Sequence, residues 1–271
     1  MGSCTTTPPA LTEQQRLSMD DLGFVVLERF LSPDKNQRLK AEIDEYLACD
    51  RARMPFEFPE HGRLIGDPAL MPLITSIMGE GFAFHHLHTA RHDAGSPGVH
   101  WHHDYEQIPQ SNRSHAMVHV FYYLNGLDGT IGDLLLLPKS QRCIWERGVA
   151  GELFGNSDIP GSIVIDDLPP GSAVIVNSAL LHARRAKPGG TGKPRYFVDS
   201  SYCQAGIRWP AYGGLRWRDH LRRCRELGLD QDGVHAHLFD ERHFFDGAEA
   251  WQRLSAINHG SLMATRNETN A

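Results

Sequence analysis

Pro170-Gly171-Ser172-Ala173-Val174-Ile175-Val176-Asn177-Ser178-Ala179-Leu180-Leu181-His182 reads as a turn, an apolar strand, and a polar strand end that carries a histidine. The same grammar runs from Gly81 onward. Phe82–Arg91, Val99–Asp104, Ala116–Leu124, Leu134–Leu137, Ile163–Ile165, Ala173–Val176 and Tyr196–Tyr202 are all brief, rich in β-branched and aromatic residues, and set between Gly, Pro and Asp turns. Many short strands with no helices between them predict an all-β sandwich or barrel. Upstream, Phe24-Val25-Val26-Leu27 leans to strand. Ser32-Pro33-Asp34 reads as a helix start, with Ser32 as N-cap and Pro33 in the first turn. Leu39, Ile43, Tyr46 and Leu47 give that helix one apolar stripe. Residues 50–68 read as an irregular connection and Pro68–Met78 as a short helix. Beyond Trp209 the chain turns polar and helical, with an Arg-rich amphipathic stretch at Trp217–Leu227. The organisation expected is a flexible leader at 1–11 and one domain over 12–271. Its β core spans about 81–204 and its helical extension about 209–266.

The 271 residues are 41% hydrophobic and 22% charged, enough to bury a core without a metal or disulfide staple. The net charge of -6 argues against a nucleic-acid partner or a membrane surface, both of which select basic patches. No apolar run reaches membrane-spanning length. Cys4, Cys49, Cys143, Cys203 and Cys224 are scattered and never form a C-x-x-C pair. Neither a disulfide framework nor a thiolate zinc site is expected, and a cytoplasmic setting is the simplest. Nothing in the sequence fixes an oligomeric state. Sixteen histidines against seven tyrosines prompt a search for a metal site, because imidazole is the commonest metal ligand.

In Gly98-Val99-His100-Trp101-His102-His103-Asp104, strand alternation places His100, His102 and Asp104 on one face and Val99, Trp101 and His103 on the other. An imidazole and a carboxylate two residues apart can fill adjacent corners of one metal. The third ligand must come from elsewhere, and His182 is the candidate. Two histidines and a carboxylate make the facial triad of non-haem Fe(II) sites, which leaves coordination positions open. Arg195, thirteen residues after His182, carries a guanidinium fork suited to the distal carboxylate of 2-oxoglutarate. Arg184 and Arg185 are the alternatives, nearer to His182. The cofactor set expected is Fe(II), 2-oxoglutarate and O₂.

At these residues the chain resembles the phytanoyl-CoA dioxygenase-like oxygenases. The resemblance covers most of residues 20–204. It rests on Asp21-Leu22-Gly23-Phe24-Val25-Val26-Leu27 with Phe30-Leu31-Ser32, on Trp101-His102-His103-Asp104, on Gly132-Asp133-Leu134-Leu135-Leu136-Leu137-Pro138-Lys139-Ser140-Gln141, and on the segment from His182 to Arg195. It implies a mainly β fold with flanking helices around a double-stranded β-helix (jelly-roll, cupin-like) core. The activity implied is Fe(II)- and 2-oxoglutarate-dependent oxidation of a small molecule. Lys139 and Gln141 depart from the Gly and His often seen there, and Arg184 replaces a small hydroxyl residue. The His182–Arg195 interval is also a residue or two longer than usual. His100 sits where such enzymes often place a cosubstrate contact; its other reading is a polar neighbour of the ligands.

Hydroxylation of an aliphatic C–H is the outcome expected, with desaturation, epoxidation and ring formation using the same residues. The substrate class is a natural product or a small acidic metabolite. Asp104 argues against the halogenase variant, in which a small residue vacates that position. A cupin-like metal enzyme without 2-oxoglutarate is the competing class, and Arg195 discriminates between them. A non-catalytic metal-binding protein would be expected to lack an intact triad. His86, His88 and His92 share a strand face beside His85 and read as polar lining or, alternatively, a second metal site. His235, His237, Asp240 and His243 form a further candidate cluster. Tyr105, Trp145 and Tyr202 are candidates for a substrate pocket, with core packing as their other reading. Arg208, Arg216 and Arg218 suit an anionic group or a solvated face. Residues 50–68, 105–115 and 142–161 are the expected lids.

Overall fold

Met117-Val118-His119-Val120-Phe121-Tyr122-Tyr123 presents one side-chain set to each face, and each face meets a different layer. The computed structural model describes residues 10–49, 53–93, 95–107, 113–186, 193–212 and 217–245. The chain opens with α1 (Glu13–Asp21), β1 (Phe24–Leu27), α2 (Pro33–Ala48), α3 (Pro59–Ile65) and α4 (Met71–Met78). Then come β2 (Phe82–His92), β3 (Val99–His102), β4 (Met117–Tyr123), β5 (Leu127–Asp128), β6 (Leu134–Leu136) and α5 (Val149–Phe154). β7 (Ile163–Ile165), β8 (Asp167–Leu168), β9 (Ser172–Asn177), β10 (His182–Arg184) and β11 (Arg195–Gln204) follow. β12 (Trp209–Pro210), α6 (Trp217–Glu226) and β13 (Phe244–Phe245) come last.

Two antiparallel sheets carry the fold. The larger runs β1-β9-β4-β11-β2 and the smaller β3-β10-β6-β7. From β4, Val118, Val120 and Tyr122 join Val25, Ile175 and Val198 against Leu39, Ile43, Leu64, Ile65, Leu73 and Ile74 of the helices. Phe121 and Tyr123 point the other way. They pack with Phe24, Val174, Val176 and Phe197 against Leu134 and Leu136 of the smaller sheet. Beyond that sheet, Trp101, Leu135, Leu181 and Ala183 pack on Ala150 of α5. Each wholly buried aliphatic or aromatic side chain contributes roughly 1.5–3 kcal/mol. The layers are therefore helices, larger sheet, smaller sheet, then α5.

All seven expected strands from Gly81 onward are present within one or two residues of their predicted ends, as is Phe24–Leu27. Helix α2 begins as its residue types dictate, with the Ser32 hydroxyl accepting from the Lys35 N–H at 3.3 Å. Residues 50–68 differ from expectation, because α3 lies within them. Its N-cap, Phe58, has no side-chain acceptor. The Glu42 carboxylate of α2 caps it instead, accepting from the N–H groups of Glu60 at 2.8 Å and His61 at 3.0 Å. A cap supplied from another helix leaves no local signature. Glu42→Ala is expected to destabilise the protein by about 2 kcal/mol, read as a lower urea midpoint at unchanged slope.

No described helix is long and apolar enough to cross a membrane. Cys4, most of the leader, the residues of the extension beyond 245, and Arg216 lie outside the described residues, as does the Arg218 side chain.

Candidate metal centre and its cavity

His182 opens β10 and pairs with His102 of β3 on one side and with Leu136 of β6 on the other. Directly opposed residues on adjacent antiparallel strands bring their side chains together. The two imidazole centroids are 4.3 Å apart. Asp104 follows the end of β3, pinned where its N–H donates to the Ser178 carbonyl at 2.8 Å. Its carboxylate lies 3.6 Å (Oδ1) from His102 Nε2 and 3.2 Å (Oδ2) from His182 Nε2. One ligand atom from each of the three lies within 4.8 Å of the others.

The second ring nitrogens fix the tautomers. His102 Nδ1 contacts the His100 carbonyl at 2.7 Å and His182 Nδ1 the Leu180 carbonyl at 3.1 Å. A carbonyl only accepts, so each ring carries a proton on Nδ1 and turns Nε2 toward Asp104. Burial, with His182 nearby, lowers the His102 pKa to about 4. Burial alone would raise the Asp104 pKa, but the neighbouring His182 holds it well below the usual carboxylate range. Two imidazoles and one carboxylate, already oriented, are the donor set a divalent metal takes.

The triad faces a cavity of about 300 Å³ between the two sheets. At one end are Arg184, Arg195 and His92. The Arg195 guanidinium is buried, with Cζ 5.2 Å from the Tyr123 ring centre and 4.6 Å from that of Phe197. Its Nε has no hydrogen-bond partner and, among the described residues, no carboxylate pairs with it. Arg184 donates to the Pro97 carbonyl; burial, with Arg195 beside it, lowers its pKa to about 10. Arg185 turns away from the cavity to Asp133 and Asp158. The other end holds Glu106, His86, His88, His119, Asp199 and Tyr212, with Arg147 bridging 3.5 Å to Asp104 and 3.6 Å to Glu106.

Several expectations are corrected. His100 is exposed and contributes its carbonyl, not its ring. Between His102 and Val99, β3 spends three steps where β10 spends two from His182 to Arg184. This bulge breaks the alternation, so Val99 and His102 line the cavity and His100 does not. Tyr202 shares the parity of Val198, faces the helices, and donates to the Ile65 carbonyl at 2.9 Å. Tyr105 is buried against Trp209 and donates to the His115 carbonyl. Trp145 packs on the outer cluster around Trp101, and its carbonyl accepts from His103. None of these three lines the cavity, nor does any described residue of 50–68. Among the described residues, His235, His237, Asp240 and His243 form no converging ligand set, and Asp240 pairs with Arg242. Arg208 donates to the Phe244 carbonyl.

Glu106 and Arg147 fall within the expected lids at 105–115 and 142–161, whereas His119, Asp199 and Tyr212 were not among the expected pocket residues. A signal existed for two of them. His119 shares the face of Phe121 in the otherwise apolar β4, and Asp199, a charged residue in the middle of β11, shares that of Arg195.

No family model matches the sequence, and no curated protein matches it significantly. Solved structures do. HygX from Streptomyces hygroscopicus, with nickel and 2-oxoglutarate bound, superposes at a TM-score of 0.61 and 16% identity, over 77% of this chain and 93% of that one. SnoK, a non-haem alpha-ketoglutarate-dependent carbocyclase from nogalamycin biosynthesis, gives 0.65 and 15% over 80% and 92%. The epimerase SnoN, in complex with Fe3+, alpha-ketoglutarate and nogalamycin RO, gives 0.58 and 18% over 71% and 83%. The chain shares their fold. Identity this low carries the fold and nothing finer.

Proposed function

We propose that this chain is a non-haem Fe(II)- and 2-oxoglutarate-dependent oxygenase with a jelly-roll core of the phytanoyl-CoA dioxygenase-like kind, acting on a small molecule of natural-product type. His102, Asp104 and His182 are the proposed iron ligands, and Arg195 the proposed anchor for the distal carboxylate of 2-oxoglutarate. One observation carries the reading: a buried guanidinium without a counter-ion among the described residues shares a cavity with an oriented two-histidine, one-carboxylate set. An uncompensated buried charge is costly, and a dianionic cosubstrate relieves that cost. The shared fold supports the same reading, since HygX, SnoK and SnoN are solved with metal and 2-oxoglutarate or described as dependent on it.

Bound iron, with 2-oxoglutarate and O₂, would supply oxidative decarboxylation to succinate and CO₂ coupled to oxidation of the substrate. The chain's own part is placement. The carbonyls of His100 and Leu180 hold the imidazole tautomers, Arg147 steadies Asp104, and Phe121, Tyr123, Phe197 and Leu134 give the cavity dry walls.

Anaerobic addition of Fe(II) and then 2-oxoglutarate to the wild type is expected to produce a visible charge-transfer band. His102→Ala and His182→Ala are expected to lose it, and release of succinate then screens substrates. A wild type with no band, or a His102→Ala variant that keeps it at full strength, sinks the assignment.

A further inference from the structure

The cavity end away from Arg195 holds the Arg147 guanidinium between Asp104 and Glu106 and, beside it, a cluster of acceptors whose hydrogen bonds fix their state. His85 Nε2 lies 2.9 Å from the Pro210 carbonyl and 3.7 Å from Glu106 Oε2. Both partners only accept, so Nε2 carries the proton. Burial keeps that ring neutral, with a pKa lowered to about 3. His85 Nδ1 is therefore an acceptor, and at 2.8 Å it faces His86 Nδ1, which must donate. Burial keeps His86 neutral too, which leaves its Nε2 as a bare lone pair. That atom belongs to a side chain 5% exposed, on a residue that lines the cavity. Among the described residues it has no hydrogen-bond donor, and the Asp199 carboxylate stands 3.8 Å away.

The relay follows from the strand. β2 bulges at this point: Ser201 pairs with His86 and Tyr202 with Phe84, so His85 is the extra residue. The bulge turns His85 toward the Pro210 carbonyl. Tyr212 stacks on His86 at 3.9 Å and 11° and fixes the ring plane. Asp199 is held by His119 Nδ1, which lies 2.8 and 3.0 Å from its two oxygens. His88 Nδ1 is 3.4 Å from the same carboxylate.

We propose that His86 Nε2 and the Asp199 carboxylate, walled by Tyr212, form a subsite for a protonated amine on the substrate. The assignment rests on the reading of the triad and Arg195 as the catalytic end, which leaves this end for substrate. Two acceptors facing each other need a ligand that brings its own protons, and an ammonium does so. Aromatic rings beside the charge suit an alkylammonium. His86, His88 and Asp199 also converge closely enough to hold a divalent metal, though the His88 side chain is 43% exposed. Spacing alone does not separate the two ligands. The substrate is then cationic at the group held here, not acidic.

The test uses metal-free full-length protein, with benzylammonium, trimethylbenzylammonium and benzyl alcohol as probes in titration calorimetry. Benzylammonium is expected to bind at least about tenfold more tightly than the other two, one lacking N–H donors and the other lacking charge. Asp199→Asn and His86→Phe are each expected to weaken it at least tenfold. Long-range ¹H–¹⁵N spectra of the wild type, which need no variant, are expected to show His86 Nε2 unprotonated and shifting as benzylammonium is added. Equal binding of all three probes, or an Nε2 signal that does not move, overturns the proposal. So does a His102→Ala/His182→Ala protein that still binds one equivalent of zinc and loses it on His86→Phe, since that marks a second metal site. None of these readouts uses the charge-transfer band, so a failure of the iron assignment is scored separately.

Discussion

Arg195→Met is expected to raise the dissociation constant for 2-oxoglutarate at least about 30-fold and to leave the metal-free protein as stable as the wild type, or more so. The two halves have one cause. A guanidinium is normally buried only against a carboxylate, and removing one partner then strands the other at a cost of roughly 3–5 kcal/mol. Here no described carboxylate is stranded, because Arg195 has none. Its contacts in the unliganded protein are the faces of Tyr123 and Phe197, worth about 0.5–2 kcal/mol as cation–π pairs. Met keeps most of the apolar stem and removes a desolvation penalty of several kcal/mol. The ligand side works the other way. Truncating one partner of a buried hydrogen-bonded charge pair costs about 2–5 kcal/mol of binding, about 30-fold or more at 1.4 kcal/mol per decade. Calorimetric titration of 2-oxoglutarate into the Ni(II) form and thermal unfolding of the metal-free form check the two halves. An unchanged dissociation constant removes Arg195 as the anchor. A midpoint several degrees below wild type means the guanidinium is paired within the protein.

What the sequence disclosed and what it hid divide along one physical line. Period-two patterning is local, so the strands from Phe82 onward were legible, as was the side-chain parity that separates His102 from Trp101 and His103. The capping of α2 by Ser32 was legible for the same reason. Helix α1 carries a local sign as well, the capping box Thr12-Glu13-Gln14-Gln15. Features created by tertiary pairing were not legible. The bulge opposite His182–Arg184 depends on how β3 meets β10 and moves His100 off the cavity face, against simple alternation. β10 is three residues long, and only pairing on both edges makes it a strand. The cap on α3 comes from α2.

The cavity shows the same division. The cluster of His102, Asp104 and His182 was readable because His102 ends a strand with Asp104 two residues beyond it, and the cross-strand partner of His102 supplies the third. The opposite wall was not, because it combines alternate residues of β2, β4 and β11 that are far apart in sequence. That wall contributes Arg195 at one end of the cavity and Asp199 at the other. Aromatic character alone does not mark the lining: Tyr105, Trp145 and Tyr202 lie outside it. A buried tyrosine needs a partner for its hydroxyl, and Tyr105 and Tyr202 found theirs in the core.

Between pH 7 and 9.5 the metal-free protein is expected to lose about 2–3 kcal/mol of stability through one buried ion pair. Burial alone would lower the His119 pKa, but the Asp199 carboxylate on its Nδ1 outweighs that and raises the value to about 9. A group whose pKa is higher folded than unfolded stabilises most below its unfolded value, near 6.5, and the contribution disappears as pH rises through the folded value. Two and a half pKa units at 1.36 kcal/mol each give about 3 kcal/mol in all, of which slightly less remains to be lost above pH 7. At roughly 2–4 °C per kcal/mol, the thermal midpoint is expected to fall by about 5–10 °C. The acid side bends oppositely. His85 and His102, lowered to about 3 and about 4 chiefly by burial, stabilise fully only above pH 6.5, and that contribution erodes as pH falls and their buried rings must charge. Stability is therefore greatest near pH 6.5–7. His119→Gln is expected to flatten the alkaline limb and leave the acid limb in place, so the difference between the two proteins isolates the pair from groups that titrate above pH 9. A wild-type midpoint that stays level from pH 7 to 9.5 means that His119 is neutral in the folded protein and that Asp199 faces the cavity without a counter-charge.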